Sequence, residues 1–98
     1  MAKYLVTWEA DMSRFPIDPK ERASMVAGLA GTVKQLIAEG KTSDWGIFLQ
    51  GAAGYSVREG GATELYQDLQ KFSPYIKFNV QEVLSVDAVL EATKAITG

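Results

Sequence analysis

Asp44-Trp45-Gly46-Ile47-Phe48-Leu49-Gln50, then Gly51-Ala52-Ala53-Gly54, then Tyr55-Ser56-Val57-Arg58-Glu59, is the stretch on which the fold turns. Side chains alternate along a strand, so Trp45, Ile47 and Leu49 share one face while Phe48 and Gln50 share the other. The glycine-bounded quartet Gly51 to Gly54 reads as a turn. The return strand places Tyr55 and Val57 on one side and Ser56 and Arg58 on the other. A β-hairpin with one dry face and one mixed face is therefore predicted.

Both faces of that hairpin need neighbours, and the flanking sequence supplies them. Tyr4 to Glu9 alternates as a first strand, with Tyr4, Val6 and Trp8 opposed to Leu5, Thr7 and Glu9. Asp11 to Ile17 is a loop. Asp18 then caps a helix, Pro19 suits its first position, and Glu21 completes a capping box. Val26, Ala27, Ala30, Val33, Leu36 and Ile37 recur at spacings of three and four, and Gly40 marks the stop. Gly28 and Gly31 inside this helix cost about 1 kcal/mol each relative to Ala, and close packing against a neighbour is one reason that would account for them. Beyond the hairpin, Gly60-Gly61 opens a helix from Ala62 to Phe72 with Leu65, Leu69 and Phe72 on its buried stripe. Ser73-Pro74 ends it. Tyr75 to Leu84 is the last strand, with Ile76, Phe78 and Val80 against Lys77, Asn79 and Gln81. Ser85 and Asp87 start a final helix bearing Val86, Val89, Leu90, Thr93 and Ile96.

The element order is βαββαβ with an added C-terminal helix. Its simplest compact form is an α+β ferredoxin-like domain over residues 1–98: a four-stranded antiparallel sheet with both crossing helices on one face. The helices are expected to cover Tyr4, Val6, Trp8, Trp45, Ile47, Leu49, Tyr55, Val57, Ile76, Phe78 and Val80. Leu5, Thr7, Glu9, Phe48, Gln50, Ser56, Arg58, Lys77, Asn79 and Gln81 make the other face, too mixed for a core and too apolar for a wet surface. Two such sheets facing each other would cover Leu5 and Phe48, which predicts a homodimer or higher homo-oligomer and a dimeric α/β barrel.

Composition narrows the function classes. With 98 residues, 47% hydrophobic and 22% charged, the chain has the makeup of one globular domain, and a domain this small gains much from self-association. Ten basic against twelve acidic residues, with no basic run, argue against a nucleic acid or an anionic membrane as partner. No signal-peptide core or membrane-length apolar run is present, so the expected address is the cytoplasm.

Chemistry is constrained by what the chain lacks. Without cysteine or histidine, thiolate catalysis, Ser-His dyads and cysteine-bound metals are excluded. Glu9, Asp11, Asp44 and Glu59 have no spacing that suggests a metal site, so neither metal nor cofactor is expected. Gly40-Lys41-Thr42 follows a helix instead of opening one, and Gln35 stands where a phosphate-binding loop needs glycine. Trp8, Trp45, Tyr55 and Phe78 fall on the helix-facing parity and read as core.

The sharpest catalytic candidate is Glu9 with Lys77. The first and last strands are antiparallel neighbours in this topology, so both side chains meet on the mixed face, with Gln50, Ser56 and Tyr75 toward the same end. In a partly dry cavity they would form a proton-transfer pair. The competing reading is a solvated cross-strand ion pair of little energetic consequence. Leu5, Thr7, Phe48, Gln50, Ser56, Arg58, Tyr75 and Asn79 are the expected ligand-binding residues around it.

Trp45, Tyr55-Ser56-Val57, and Ser73-Pro74-Tyr75 leading into the Ile76 to Val80 strand resemble the second half of the muconolactone isomerases and small proteins of the dimeric α/β-barrel superfamily. The resemblance covers about half the chain. It implies ferredoxin-like subunits paired sheet to sheet with a ligand cavity, often within higher oligomers. In those isomerases proton transfer rearranges a lactone. The first half of the chain matches them poorly and the chain has no histidine, so no catalytic residue carries over. The expectation is a small cytoplasmic protein that binds a small organic molecule, as a cofactor-independent, muconolactone-isomerase-like enzyme. The alternative is a non-catalytic oligomeric or ligand-sensing module whose mixed face serves assembly.

Overall fold

Local signals fix most element ends. The computed structural model describes residues 2–97. Helix α1 (Pro19–Ala38) begins where the Asp18 carboxylate accepts from Glu21 N, 3.0 Å away. It ends at Gly40, whose φ of 76° is the left-handed conformation that glycine adopts without strain. Gly40 N bonds to Ile37 O and Lys41 N to Leu36 O, which satisfies carbonyls otherwise orphaned at the helix end.

Strands β1 (Lys3–Ala10), β2 (Thr42–Ile47), β3 (Ala53–Glu59) and β4 (Ile76–Val83) form one antiparallel sheet in the order β2-β3-β1-β4. Helices α2 (Ala62–Gln70) and α3 (Val86–Thr97) complete an α+β architecture compatible with a ferredoxin-like fold. Central β1 is paired on both sides, and Val6 on it is fully buried between Ser56 of β3 and Val80 of β4. Leu36, Leu65, Phe72 and Phe15 complete the buried core.

The hairpin differs from the sequence reading in two linked ways. Its turn lies at Phe48 to Ala52, with Gly51 and Ala52 at positive φ and Phe48 N bonded to Ala53 O, so Leu49 and Gln50 belong to the turn and Leu49 is wholly exposed. Gly54 consequently sits inside β3, where it pairs with Trp8. A Cβ there would lie 2.6 Å from Trp8 Cζ2, so the position accepts no side chain. Alternation from Gly54 then carries Ser56 and Arg58 under the helices and turns Tyr55 and Val57 to the open face, the reverse of the expected parity. Arg58 tolerates burial because Asp68 of α2 meets it there. A register shift between Thr42 and Asp44 lets Thr42 and Trp45 lie opposite Arg58 and Ser56 on the helix side.

Helix α1 also departs from expectation. Leu36 is its one fully buried residue, while Val26 and Ile37 are about half exposed. Nothing lies within 4 Å of where a Cβ would stand on Gly28 or Gly31, so close packing within the subunit does not explain these glycines. The described chain measures 62 × 25 × 21 Å with a radius of gyration of 16.4 Å, against roughly 13 Å for a compact chain of this length. Helix α3 buries no residue.

Candidate functional site

Because α1 stands off the sheet, a cavity of about 580 Å³ lies between them. Trp8, Trp45 and Phe78 line it from the sheet, Val26, Ala30 and Val33 from α1, and Phe15 and Phe72 from the connecting segments. The aromatic walls are organised. Trp8 and Trp45 stack with centroids 5.6 Å apart and planes 12° from parallel, and Phe72 meets Phe78 edge-on at 5.9 Å. The Trp8 stack follows from Gly54 beneath it, which leaves room for the indole. Trp8 Nε1 is sealed between these groups without a hydrogen-bond partner.

Polar side chains gather where β2 and β3 approach α2. Thr42, Ser56 and Arg58 are all buried and all line the cavity. Arg58 Nε donates to Lys41 O at 2.8 Å, and Nη2 donates to Asp68 Oδ2. The second Asp68 oxygen faces Lys71 Nζ at 3.3 Å and Lys41 Nζ at 4.0 Å. Burial pushes the Asp68 carboxyl up, but hydrogen bonds from Arg58 and Lys71 and the Arg58 and Lys41 charges outweigh it, holding the carboxyl below its ordinary value.

The sequence-predicted residues divide between the two faces. Glu9 and Lys77 stand directly opposite in the β1–β4 register, as expected, on the open face with Leu5, Thr7 and Asn79. Both are exposed, and no ion pair joins them among the described residues. Thr7 Oγ1 donates to Asn79 O at 3.5 Å, a link across the same strands. Asp11 lies just beyond them. The Ser13 hydroxyl, 2.6 Å from its carboxylate, holds that carboxyl below its ordinary value against the opposing effect of burial, and the Lys77 charge adds to the lowering.

Ser56 and Arg58, by contrast, enter the helix-side cavity, and Gln50 lines it from the turn. Tyr75 packs edge-on against Phe15 at 6.1 Å, while Phe48 stays half-exposed in the turn. Tyr55, expected in the core, donates its hydroxyl to Asp44 Oδ2 at 3.0 Å, which raises its pKa.

Sequence reasoning missed Thr42 and Asp68. Asp68 carried a legible signal: it lies three residues after Leu65, on the stripe that also holds Leu69 and Phe72. A carboxylate on a buried stripe requires a buried cation.

Among the described residues no group of three or more His, Cys, Asp or Glu side chains is placed to hold a metal, and no helix is long and apolar enough to cross a membrane. No protein-family model and no curated protein matches the chain.

Proposed function

We propose that this chain is a subunit of a homo-oligomeric α/β-barrel protein that takes a small, mainly apolar organic molecule between α1 and the sheet. The observation that carries the reading is the cavity of about 580 Å³ with its stacked Trp8–Trp45 wall. Its size falls within the ordinary range for small-molecule sites, about 300–1,000 Å³. Self-association is supported by the open face, where Leu5 and Val83 are each 39% exposed, and by the uncovered stripe of α3. A second copy is the simplest cover for both. The resemblance to muconolactone isomerases and the cytoplasmic address belong to this same proposal.

A finer reading makes the protein a cofactor-independent isomerase. Its support is the direct opposition of Glu9 and Lys77, which would become a proton-transfer pair once a second sheet excludes water. If that face serves assembly alone, the two charges are merely an interfacial pair.

Filling the cavity tests the ligand reading. Ala30→Phe with Val33→Phe adds volume from the α1 side, where both positions line the space. Binding of 2-methylnaphthalene in equilibrium dialysis should fall at least tenfold while the circular dichroism spectrum is kept. Unchanged binding would place the ligand elsewhere and end the proposal.

A further inference from the structure

The cavity has a polar end, and its chemistry selects among apolar ligands. Thr42 lies directly opposite Arg58 across the β2–β3 pair, and Ser56 is two residues before Arg58 on the same face. The spacing along β3 is about 7 Å. Arg58 Nε and Nη2 are engaged by Lys41 O and Asp68. Its Nη1 and the Thr42 and Ser56 hydroxyls have no hydrogen-bond partner among the described residues. Among the described residues, the one side-chain polar atom both sealed and unpaired is Trp8 Nε1. The three groups are therefore open to the cavity, although their residues are only 4% (Thr42), 8% (Ser56) and 4% (Arg58) exposed.

The donors at this end, more than its net charge, suit an anion. Arg58 shares Asp68 with Lys71 and Lys41, so three cations draw on one buried carboxylate. Glu39 and Glu64 also face Lys41, at 3.6 and 3.8 Å, and since they and Lys71 all stand partly in solvent, these outer charges offset one another and leave the buried guanidinium as the cation facing the cavity. A guanidinium and two hydroxyls can all donate to the same carboxylate, and such charge-assisted bonds are stronger than neutral ones.

We infer that the ligand is an apolar, flat organic acid, its ring against Trp8 and Trp45 and its carboxylate at Arg58 Nη1, Thr42 Oγ1 and Ser56 Oγ. The inference rests on the cavity being the ligand site, and the test separates the two claims. Equilibrium dialysis with the full chain compares 2-naphthoate with 2-methylnaphthalene, which replaces the carboxylate by a methyl of similar shape. The acid should bind at least tenfold tighter. Thr42→Val with Ser56→Ala keeps nearly the same volume and leaves the Arg58–Asp68 pair untouched. That variant should lose at least fivefold in naphthoate affinity and bind 2-methylnaphthalene as before. If the hydrocarbon binds as tightly as the acid, or if the variant weakens both ligands equally, the polar end is not a carboxylate site. If neither compound binds, the cavity reading itself falls.

Discussion

Helix α2, with 9 residues, buries Leu65 and Asp68 against the sheet, whereas α3, with 12, buries nothing and leaves Val86 72% and Ile96 85% exposed. Both carry a regular apolar stripe. The difference lies in how each is fastened. Asp68 ties α2 to Arg58 of β3, and Phe72 just beyond it meets Phe78 of β4. Helix α3 follows β4 at the sheet edge through a local cap, Ala88 N to Ser85 Oγ at 3.0 Å, and among the described residues no ion pair ties it to the rest of the chain. An amphipathic stripe thus states that a helix needs a partner but not that its own subunit supplies one. Isolated helices of this length are marginal in water. Docking α3 on a second copy would resolve that, in keeping with the proposed self-association.

The largest effect should come from the fastening of α2. Asp68→Ala strands the Arg58 cation in the core and should cost about 3–5 kcal/mol in urea denaturation. A cost below about 1 kcal/mol would mean that water reaches the pair. The same contact predicts acid sensitivity. The Asp68 carboxyl is held below its ordinary value of 3.8 in the folded state. Its contribution is therefore fully present above that value and is lost as pH falls through the lowered folded value. Acid titration of Asp68→Asn should show a shallower stability loss in that window than the parent.

Next comes a direct contrast of the two stripes. Leu65→Ala in α2 should destabilise the fold by about 2–5 kcal/mol through lost burial and the cavity left behind. Leu90→Ala in α3 should change the stability of a diluted monomer by less than about 0.5 kcal/mol. At micromolar concentration Leu90→Asp should shift light scattering toward the monomer. Equal destabilisation of the monomer by Leu65→Ala and Leu90→Ala would mean that α3 packs within its own subunit.

The smallest effect concerns α1. Gly28→Ala and Gly31→Ala meet open space within the subunit and should each stabilise the monomer by about 0.5–1 kcal/mol through helix propensity. If either instead dissociates an oligomer seen by light scattering, that glycine serves a partner surface, and α1 joins α3 as an element completed by another copy.

The outer strands were legible because alternation there is regular: Tyr4, Val6 and Trp8 on β1, and Ile76, Phe78 and Val80 on β4, face the helices as read, and Glu9 stands opposite Lys77. The α1 cap at Asp18 and stop at Gly40 were equally plain, since capping is local chemistry. The hairpin misled. Gly51 and Gly54 look alike in sequence, yet Gly51 turns the chain at a φ of 84° while Gly54 makes room for an indole that reaches it from another strand. Misplacing the turn reversed β3, and with it the assignment of Ser56 and Arg58. Of the expected ligand-binding residues, Gln50, Ser56 and Arg58 line the helix-side cavity instead of the mixed face on which the alternation had placed them.

The sequence by itself determined the element order, the ends of α1 and the faces of β1 and β4, because periodicity, capping and glycine stops act between residues close along the chain. Tertiary structure decided the parity of β3, the meeting of Arg58 with Asp68 and the space beneath α1. The physical reason is common to all three. A one-residue slip in a hairpin inverts every side chain after it, and a buried charge is tolerable only where a distant partner arrives, so each outcome depends on contacts between elements that local sequence does not encode.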